Sequence, residues 1–228
     1  MSIAHLYILR IIHEFTCITI AFVSGLVAFR HMNLLHRIFF YQLIAYFLII
    51  FLSYAAQLIP NMKYNNQWVY NLGMPIEAGI LSWAAYEYLK NYREKFLIWA
   101  GGAVFLIVFI SALILKGPLA FSNYGYIAEG ILLVALYLSI LYVQFANYTN
   151  IWKRSPEIWL GLGVVLYFAG VVPYFSLFDY LLNNHPKISL YLFNFVTVGL
   201  SDVRYLLLAY GFWLVRRNAL AKTTTVNE

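Results

Sequence analysis

The sequence predicts an all-α membrane protein: a polytopic bundle of seven transmembrane helices with its N-terminus outside the cell and its C-terminus in the cytoplasm. Apolar residues make up 63% of the chain and charged residues only 11%, a balance typical of integral membrane proteins. The apolar residues fall in runs of about 20, long enough for a helix to cross a hydrocarbon core roughly 30 Å thick. The basic residues are concentrated in alternate loops, which predicts the orientation.

Seven apolar runs follow one another along the 228 residues. The predicted spans 1 to 7 cover residues 6–29, 38–60, 67–89, 96–115, 121–146, 157–182 and 188–215. We therefore expect one transmembrane domain over residues 1–215 and a short cytoplasmic tail over 216–228. This division leaves no length for a soluble catalytic or DNA-binding domain.

Basic residues predict the orientation of the spans. The loops after spans 1, 3 and 5 and the tail hold Arg30, Arg37, Lys90, Arg93, Lys95, Lys153, Arg154, Arg216, Arg217 and Lys222. The opposite loops hold only Lys63, Lys116 and Lys187. Because basic loops stay in the cytoplasm, this bias places the N-terminus outside. It predicts a multi-pass protein of the inner (plasma) membrane that contacts anionic lipid and binds no nucleic acid.

Span 1 begins with Arg10, His13 and Glu14, and its apolar stretch starts near Phe15. No small-residue cleavage site follows, so we expect a retained helix rather than a cleaved signal peptide. Cys17 is the only cysteine of the chain. An intramolecular disulfide and a cysteine-rich metal site are therefore excluded.

Spans 1, 3, 5 and 7 each carry one carboxylate in mid-membrane: Glu14, Glu77, Glu129 and Asp202. The four spans run in the same direction, so these acids converge on the outer half to the middle of the bilayer. A charge at the centre of a membrane helix costs on the order of 2.5 to 3.5 kcal/mol, and such groups face the bundle interior and pair. The sequence therefore predicts a buried polar site.

Positive charge is scarce in this predicted site. Arg10 can pair with Glu14 four residues along span 1, and Arg204 of span 7 should reach across the bundle to Glu77 or Glu129. Two arginines against four carboxylates require further compensation. Protonated carboxyls, a charged His13, or an entering proton, metal ion or cationic ligand would each provide it.

Spans 3 and 5 share a pattern around their carboxylates. Asn71, Gly73 and Glu77 have the same spacing as Asn123, Gly125 and Glu129, which would suit an internal two-helix repeat, although chance similarity stays open. The glycine one turn outward of each Glu allows a neighbouring helix or ligand to approach. Asn71 and Asn123 join the candidate site on this basis.

Prolines and tyrosines add two further expectations. Pro75 in span 3 and Pro173 in span 6 should kink their helices and open space, unless they reflect only the ordinary proline content of membrane helices. Six tyrosines lie deep in the spans, where each hydroxyl needs a partner, and they either line the acidic site or pack in the core. These tyrosines are Tyr46, Tyr54, Tyr137, Tyr167, Tyr174 and Tyr205.

Two cofactor chemistries are disfavoured. A retinal protein needs a lysine within span 7, and Lys187 and Lys222 flank that span instead. An intramembrane zinc hydrolase needs several His or acidic ligands in one place, and only His13 lies near the predicted acids. We expect no cofactor and no metal, and the sequence carries no recognised catalytic motif, which leaves any catalytic residue unknown.

Several strings spread along the chain resemble a group of uncharacterised seven-helix membrane proteins frequent in Bacteroidota. They are Trp68-Val69-Tyr70-Asn71 with Pro75-Ile76-Glu77, Trp159-Leu160-Gly161 through Leu166-Tyr167-Phe168-Ala169-Gly170, and Gly211-Phe212-Trp213. The resemblance implies a bacterial seven-helix fold and no particular activity.

Three functional hypotheses follow from the sequence. The first is a membrane sensor or ligand-binding protein, rather than an enzyme, whose outer pocket accepts a small amphipathic or cationic ligand and which signals through a separate cytoplasmic partner. The second is a proton-coupled transporter or intramembrane lipid-modifying enzyme, with Glu77 and Glu129 as proton carriers or as an acid/base pair. The third is a structural bundle whose charges only fix helix register.

Overall fold

The computed structural model describes residues 3–57, 66–147 and 154–224, which are almost wholly helical. The described helices are α1 Ile3–Ala28, α2 Leu34–Gln57, α3 Gln67–Leu89, α4 Phe96–Lys116, α5 Asn123–Asn147, α6 Pro156–Asn184, α7 Pro186–Leu192 and α8 Gly199–Thr224. The predicted all-α class is confirmed for this part of the chain. Lys63 and Lys153 lie outside the described residues.

The last two helices form one continuous rod that corresponds to predicted span 7. A π-helical turn, Phe193–Val198, joins α7 to α8 without a break. The hydroxyl of Thr197 donates a hydrogen bond to the carbonyl of Phe193 within this turn. Single π-helical turns inside longer helices are rare overall, and those that occur are often at functional sites. No pattern in the sequence predicted this one.

Six helical stretches are long and apolar enough to cross a bilayer. They are Ile12–His31, Leu34–Ala56, Arg93–Lys116, Asn123–Ala146, Pro156–Asn184 and Pro186–Ala221. The chain is therefore a multi-pass membrane protein. α3 is 23 residues long but is not among them, since it carries Gln67, Asn71, Glu77 and Glu87. Gln67 and Glu77 line the cavity described below, and Asn71 bonds the loop beside it.

The helices pack in a ring. Around it, α1 contacts α2, α2 contacts α3, α3 contacts α5, α5 contacts α6, α6 contacts α8, and α8 returns to α1. α4 packs mainly against α5 and is the least buried of the apolar spans. One end of the bundle, here called the basic end, holds Arg30, Arg93, Arg154 and Arg217. The other, the distal end, holds the N-termini of α3 and α5.

Two prolines lie inside helices, as the sequence predicted, at Pro75 of α3 and Pro173 of α6. The predicted close approach at the glycines is also present. A Cβ on Gly73 would lie 3.1 Å from Ile49 of α2, and a Cβ on Gly125 would lie 2.8 Å from Phe109 of α4. Small residues thus let neighbouring helices pack tightly in lipid, where packing contacts drive helix association.

We expect Gly163→Leu to destabilise the bundle by roughly 1–3 kcal/mol, the usual cost of overpacking. A Cβ at Gly163 would lie 3.3 Å from the carbonyl oxygen of Arg204 in α8, and backbone cannot move aside as a side chain can. Gly79→Leu is the matched control, because a Cβ there meets nothing within 4 Å. Thermal unfolding in detergent should show a lower Tm for Gly163→Leu alone. Equal Tm values in the two variants would contradict this packing.

Candidate functional site

A cavity of about 290 Å³ lies inside the ring, towards the distal end. Its walls come from α1, α2, α3, α5, α6, the π-helical turn and α8. Gln67 and Glu77 of α3 both line it, and ten residues of helix between them correspond to a depth of about 15 Å. The cavity therefore reaches from the distal end of α3 into the middle of the bundle.

The lining changes in character with depth along these helices. Asn66 and Gln67 line the distal part, next to the start of α3. Six aromatic rings line the cavity between the distal end and the middle of the helices: Tyr54, Tyr70, Phe121, Phe175, Phe178 and Phe193. The deep part, here called the floor, is lined by Glu14, Tyr46, Glu77, Tyr126, Tyr167 and Ser201. An apolar passage thus ends on two carboxyl groups and three phenols.

Glu77 and Arg204 form a buried ion pair at the floor. Nη2 of Arg204 donates to Oε1 of Glu77 at 2.6 Å, and Nε2 of Gln42 donates to the same oxygen at 3.1 Å. The predicted pairing of Arg204 across the bundle is thereby confirmed. Arg204 is only 1% exposed, so this charge-assisted bond acts where little water screens it. The pair connects α3 to α8, with α2 as a third partner.

Arg204 also lies over two aromatic faces. Its guanidinium carbon is 5.0 Å from the centre of the Tyr167 ring and 5.5 Å from that of Phe168, within the range of a cation–π interaction. The hydroxyls of Tyr167 and Tyr126 form a 2.6 Å hydrogen bond. The guanidinium is therefore held by a carboxylate on one side and by the rings of α6 on the other.

Glu129 of α5 is a further carboxyl of the bundle interior, and it is completely buried. It interacts electrostatically with both Glu77 and Arg204. Neither Oε1 nor Oε2 has a hydrogen-bond partner in the described chain, and the same holds for Nε of Arg204 and Oε1 of Gln42. Buried polar atoms are nearly always satisfied in proteins, so a cluster of orphans calls for an explanation.

The remaining charged residues predicted for the site separate into two groups. Glu14 lines the cavity floor together with Glu77. Asp202 does not line it and instead contacts Cys17, near His13, on the neighbouring α1. His13 is exposed. The side chain of Arg10 is outside the described part, so its predicted pairing with Glu14 stays a prediction. Three of the four predicted acids, Glu14, Glu77 and Glu129, therefore lie together in the bundle interior. Asp202 lies instead at the contact between α1 and α8.

Asn71 and Asn123 do not line the cavity. Nδ2 of Asn71 donates to the carbonyls of Pro118 and Ala120 at 2.9 and 2.7 Å, and its Oδ1 accepts from the amide of Ser122 at 3.0 Å. Nδ2 of Asn123 donates to Asp179 of α6 at 2.7 Å. The two asparagines share a spacing in the sequence but hold different neighbours, and both act on the scaffold around the site.

Several lining residues were not predicted as part of the site, and neither was Gln42, which bonds the lining residue Glu77. Gln42, Phe121, Tyr126, Thr197 and Ser201 carry no charge, and nothing in a single sequence separates them from ordinary membrane-helix residues. Gln42 is the one with a usable signal, because its predicted span holds only one other amide residue and no charge. Of the six deep tyrosines, Tyr46, Tyr54 and Tyr167 line the cavity.

A metal centre is not formed by the described residues, among which no three His, Cys, Asp or Glu side chains gather closely enough to bind an ion. Comparison of the chain with protein-family models, with curated proteins and with solved structures finds no match in any of the three. The site must therefore be interpreted from its own chemistry.

Proposed function

We propose that the protein is an integral membrane sensor that binds an elongated, amphipathic organic cation in this cavity. The single observation that carries the proposal is the composition of the lining: aromatic rings share one cavity with Glu14 and Glu77, which lie about midway along their helices. Aromatic faces attract cations and apolar groups alike, and quaternary ammonium ions are a recognised ligand of such surfaces. A cationic head would lie near Glu77, with an apolar chain extending between the rings.

The size and position of the cavity support this proposal. Ligand sites are concave and mainly apolar with a few polar groups, and a volume of about 290 Å³ is at the lower end of the usual range. Helices from the whole ring contribute to the wall, so a bound ligand would contact elements that pack against one another. Differential contacts of this kind shift the populations of helix arrangements.

The proposal includes the topology that the basic residues predict. All seven predicted spans cross the inner membrane, α3 among them, because Gln67, Asn71 and Glu77 face the site or the loop before α5 rather than lipid. Glu87 pairs with Lys90 near the basic end. The distal end lies outside the cell, and the cavity accepts its ligand from there. The basic end faces the cytoplasm, where a separate partner protein takes up the signal.

We expect hexyltrimethylammonium to raise the Tm of the purified protein in detergent, and its carbon isostere 2,2-dimethyloctane and the anion heptanoate to leave it unchanged. The cation alone combines the charge and the chain that the lining favours. Glu77→Gln removes the carboxylate without changing its shape and should weaken binding at least tenfold, about the loss of one charge-assisted contact. Titration calorimetry in nanodiscs measures this change.

Glu87→Gln is the matched control for that experiment. Glu87 lies on the same helix, near the basic end, and pairs with Lys90 at 2.9 Å, so the variant should bind as the wild type does. Equal stabilisation by the cation and its neutral isostere would contradict the proposed ligand class. Equal binding by Glu77→Gln and Glu87→Gln would contradict the proposed floor of the site.

One observation favours a second candidate, a proton-coupled transporter. Buried carboxyl groups without partners, such as Glu129, mark proton relays in pumps and carriers. Transport requires the cavity to open at the basic end as well. Uptake of labelled hexyltrimethylammonium into proteoliposomes with a pH gradient would separate the two, since a sensor binds the cation without accumulating it.

A further inference from the structure

Glu129 is set apart from the cavity by its complete burial, yet it lies within the electrostatic range of the ion pair at the cavity floor. We propose that Glu129 is a proton-binding site and that its proton is exchanged for the guanidinium of Arg204 when a cation occupies the floor. The proton-binding half stands on the geometry alone. The exchange half rests on the proposed function, because it needs a cationic ligand.

Burial without partners supports the first half. An ionised carboxylate in the interior of a membrane bundle is costly unless it is paired and hydrogen-bonded. Among the described residues neither oxygen of Glu129 has a hydrogen-bond partner, and the guanidinium bond of Arg204 goes to Glu77 instead. A bound proton removes the charge. The described groups that face Glu129 are Glu77 of α3, Arg204 of α8 and Tyr126 of α5 itself, and among them Arg204 is the one cation.

Charge balance supports the second half. Without ligand, ionised Glu77, Arg204 and protonated Glu129 sum to zero. A ligand cation paired with Glu77 would raise that sum to plus one. If Arg204 then pairs with Glu129 through its partnerless Nε, the carboxyl loses its proton and the sum returns to zero. One cation enters and one proton leaves, so the summed charge of Glu77, Glu129, Arg204 and the ligand is the same in both states.

Arg204 lies within electrostatic range of both carboxyl groups of this exchange. The rings of Tyr167 and Phe168 hold the guanidinium plane on one side, and Glu77 and Glu129 both interact with its charge. The structure thus shows one arginine with two carboxylate neighbours on separate helices, α3 and α5. If Arg204 changes its partner from Glu77 to Glu129, α8 is bound to α5 instead of α3. Ligand binding would thereby change the contacts between helices.

We expect wild-type protein to release about one proton per hexyltrimethylammonium bound, measured by titration calorimetry in two buffers that differ in ionisation enthalpy. Since proton and cation binding are linked, the Kd should fall about tenfold for each pH unit gained while Glu129 is protonated in the free state. Glu129→Gln should bind the cation with no proton release and no such pH dependence. Glu87→Gln should release protons as the wild type does.

A measurement without ligand tests the proton site by itself. Infrared spectra of the ligand-free protein at pH 7 should contain the C=O stretch of a protonated carboxylic acid, which is lost in Glu129→Gln and kept in Glu87→Gln. An unchanged spectrum in Glu129→Gln would overturn the proton site whether or not any cation binds. A band lost in Glu129→Gln, with cation binding but no proton release, would overturn the exchange alone.

The remaining outcomes are equally decisive. Absence of cation binding, with the infrared band present, would contradict the proposed function and the exchange while leaving the proton site in place. A calorimetric signal that depends on sodium instead of pH, compared in N-methylglucamine buffer, would show that a metal cation rather than a proton compensates Glu129. That result would overturn the proposal even if Glu129→Gln failed to fold.

Discussion

Arg204→Met should destabilise the protein by about 3–5 kcal/mol, the cost of removing one partner from a buried ion pair. The methionine fills much of the same volume, so the loss comes mainly from charge. Glu77 would keep only the amide of Gln42 on Oε1, and Glu129 would lose the only cation near it among the described residues. Graded SDS unfolding in mixed micelles measures the free energy directly.

Two further variants separate charge from packing at Arg204. Arg204→Lys keeps the charge but loses the planar fork that binds Glu77 and stacks on Tyr167, so its loss of stability should be smaller. The double variant Arg204→Met with Glu77→Gln removes both charges of the pair and should recover part of the loss. Equal stability of the double variant and Arg204→Met would show that the charge of Glu77 plays no part.

Composition and hydrophobic run length were sufficient to predict the helices of this fold. The helical ends of the structure lie within a few residues of most predicted spans, because lipid requires every backbone polar group to be bonded within its own helix. The exceptions have local causes. The long rod of α7 and α8 continues to Thr224, past the predicted end of span 7 at residue 215, and the π-helical turn leaves no mark in the hydrophobic pattern.

The charged centre of the site could be predicted for a related reason. Charge inside a membrane is costly, so Glu77, Glu129 and Arg204 were conspicuous, and the scarcity of cations indicated that they meet. The direction in which each side chain points was harder to predict from the sequence. Asp202 lies two residues from Arg204, and a rotation of about 200° between such positions turns it towards Cys17 on α1. Uncharged lining residues such as Tyr126 carried no signal at all.

The asparagines illustrate the limit of pattern reasoning most clearly. The spacing shared by α3 and α5 predicted equivalent roles for Asn71 and Asn123, and both are 4% exposed. Helical position makes them similar, but their neighbours differ. Asn71 faces the loop before α5, whereas Asn123 begins α5 itself and faces α6. Similar local sequence therefore coincides with similar placement of the Glu side chains and different functions of the amides.

Asn71→Ala should destabilise the protein by about 2–4 kcal/mol, because three hydrogen bonds are lost at roughly 0.5–1.5 kcal/mol each. The carbonyls of Pro118 and Ala120 and the amide of Ser122 would lose their partner together. Asn123→Ala is the matched control: it removes one described bond, to Asp179, and should cost about 1 kcal/mol. Graded SDS unfolding again compares the two.

Loss of the Asn71 hydrogen bonds should also change the shape of the cavity. The loop that Asn71 holds contains Phe121, whose amide donates to Gln67 at 3.1 Å and whose ring lies 5.4 Å from that of Phe175. Phe121 and Phe175 both line the aromatic passage. Asn71→Ala should therefore weaken hexyltrimethylammonium binding, while Asn123→Ala should not. A variant that loses stability and keeps its affinity would show that the loop supports the bundle without shaping the passage, and that the cation is held by the floor alone.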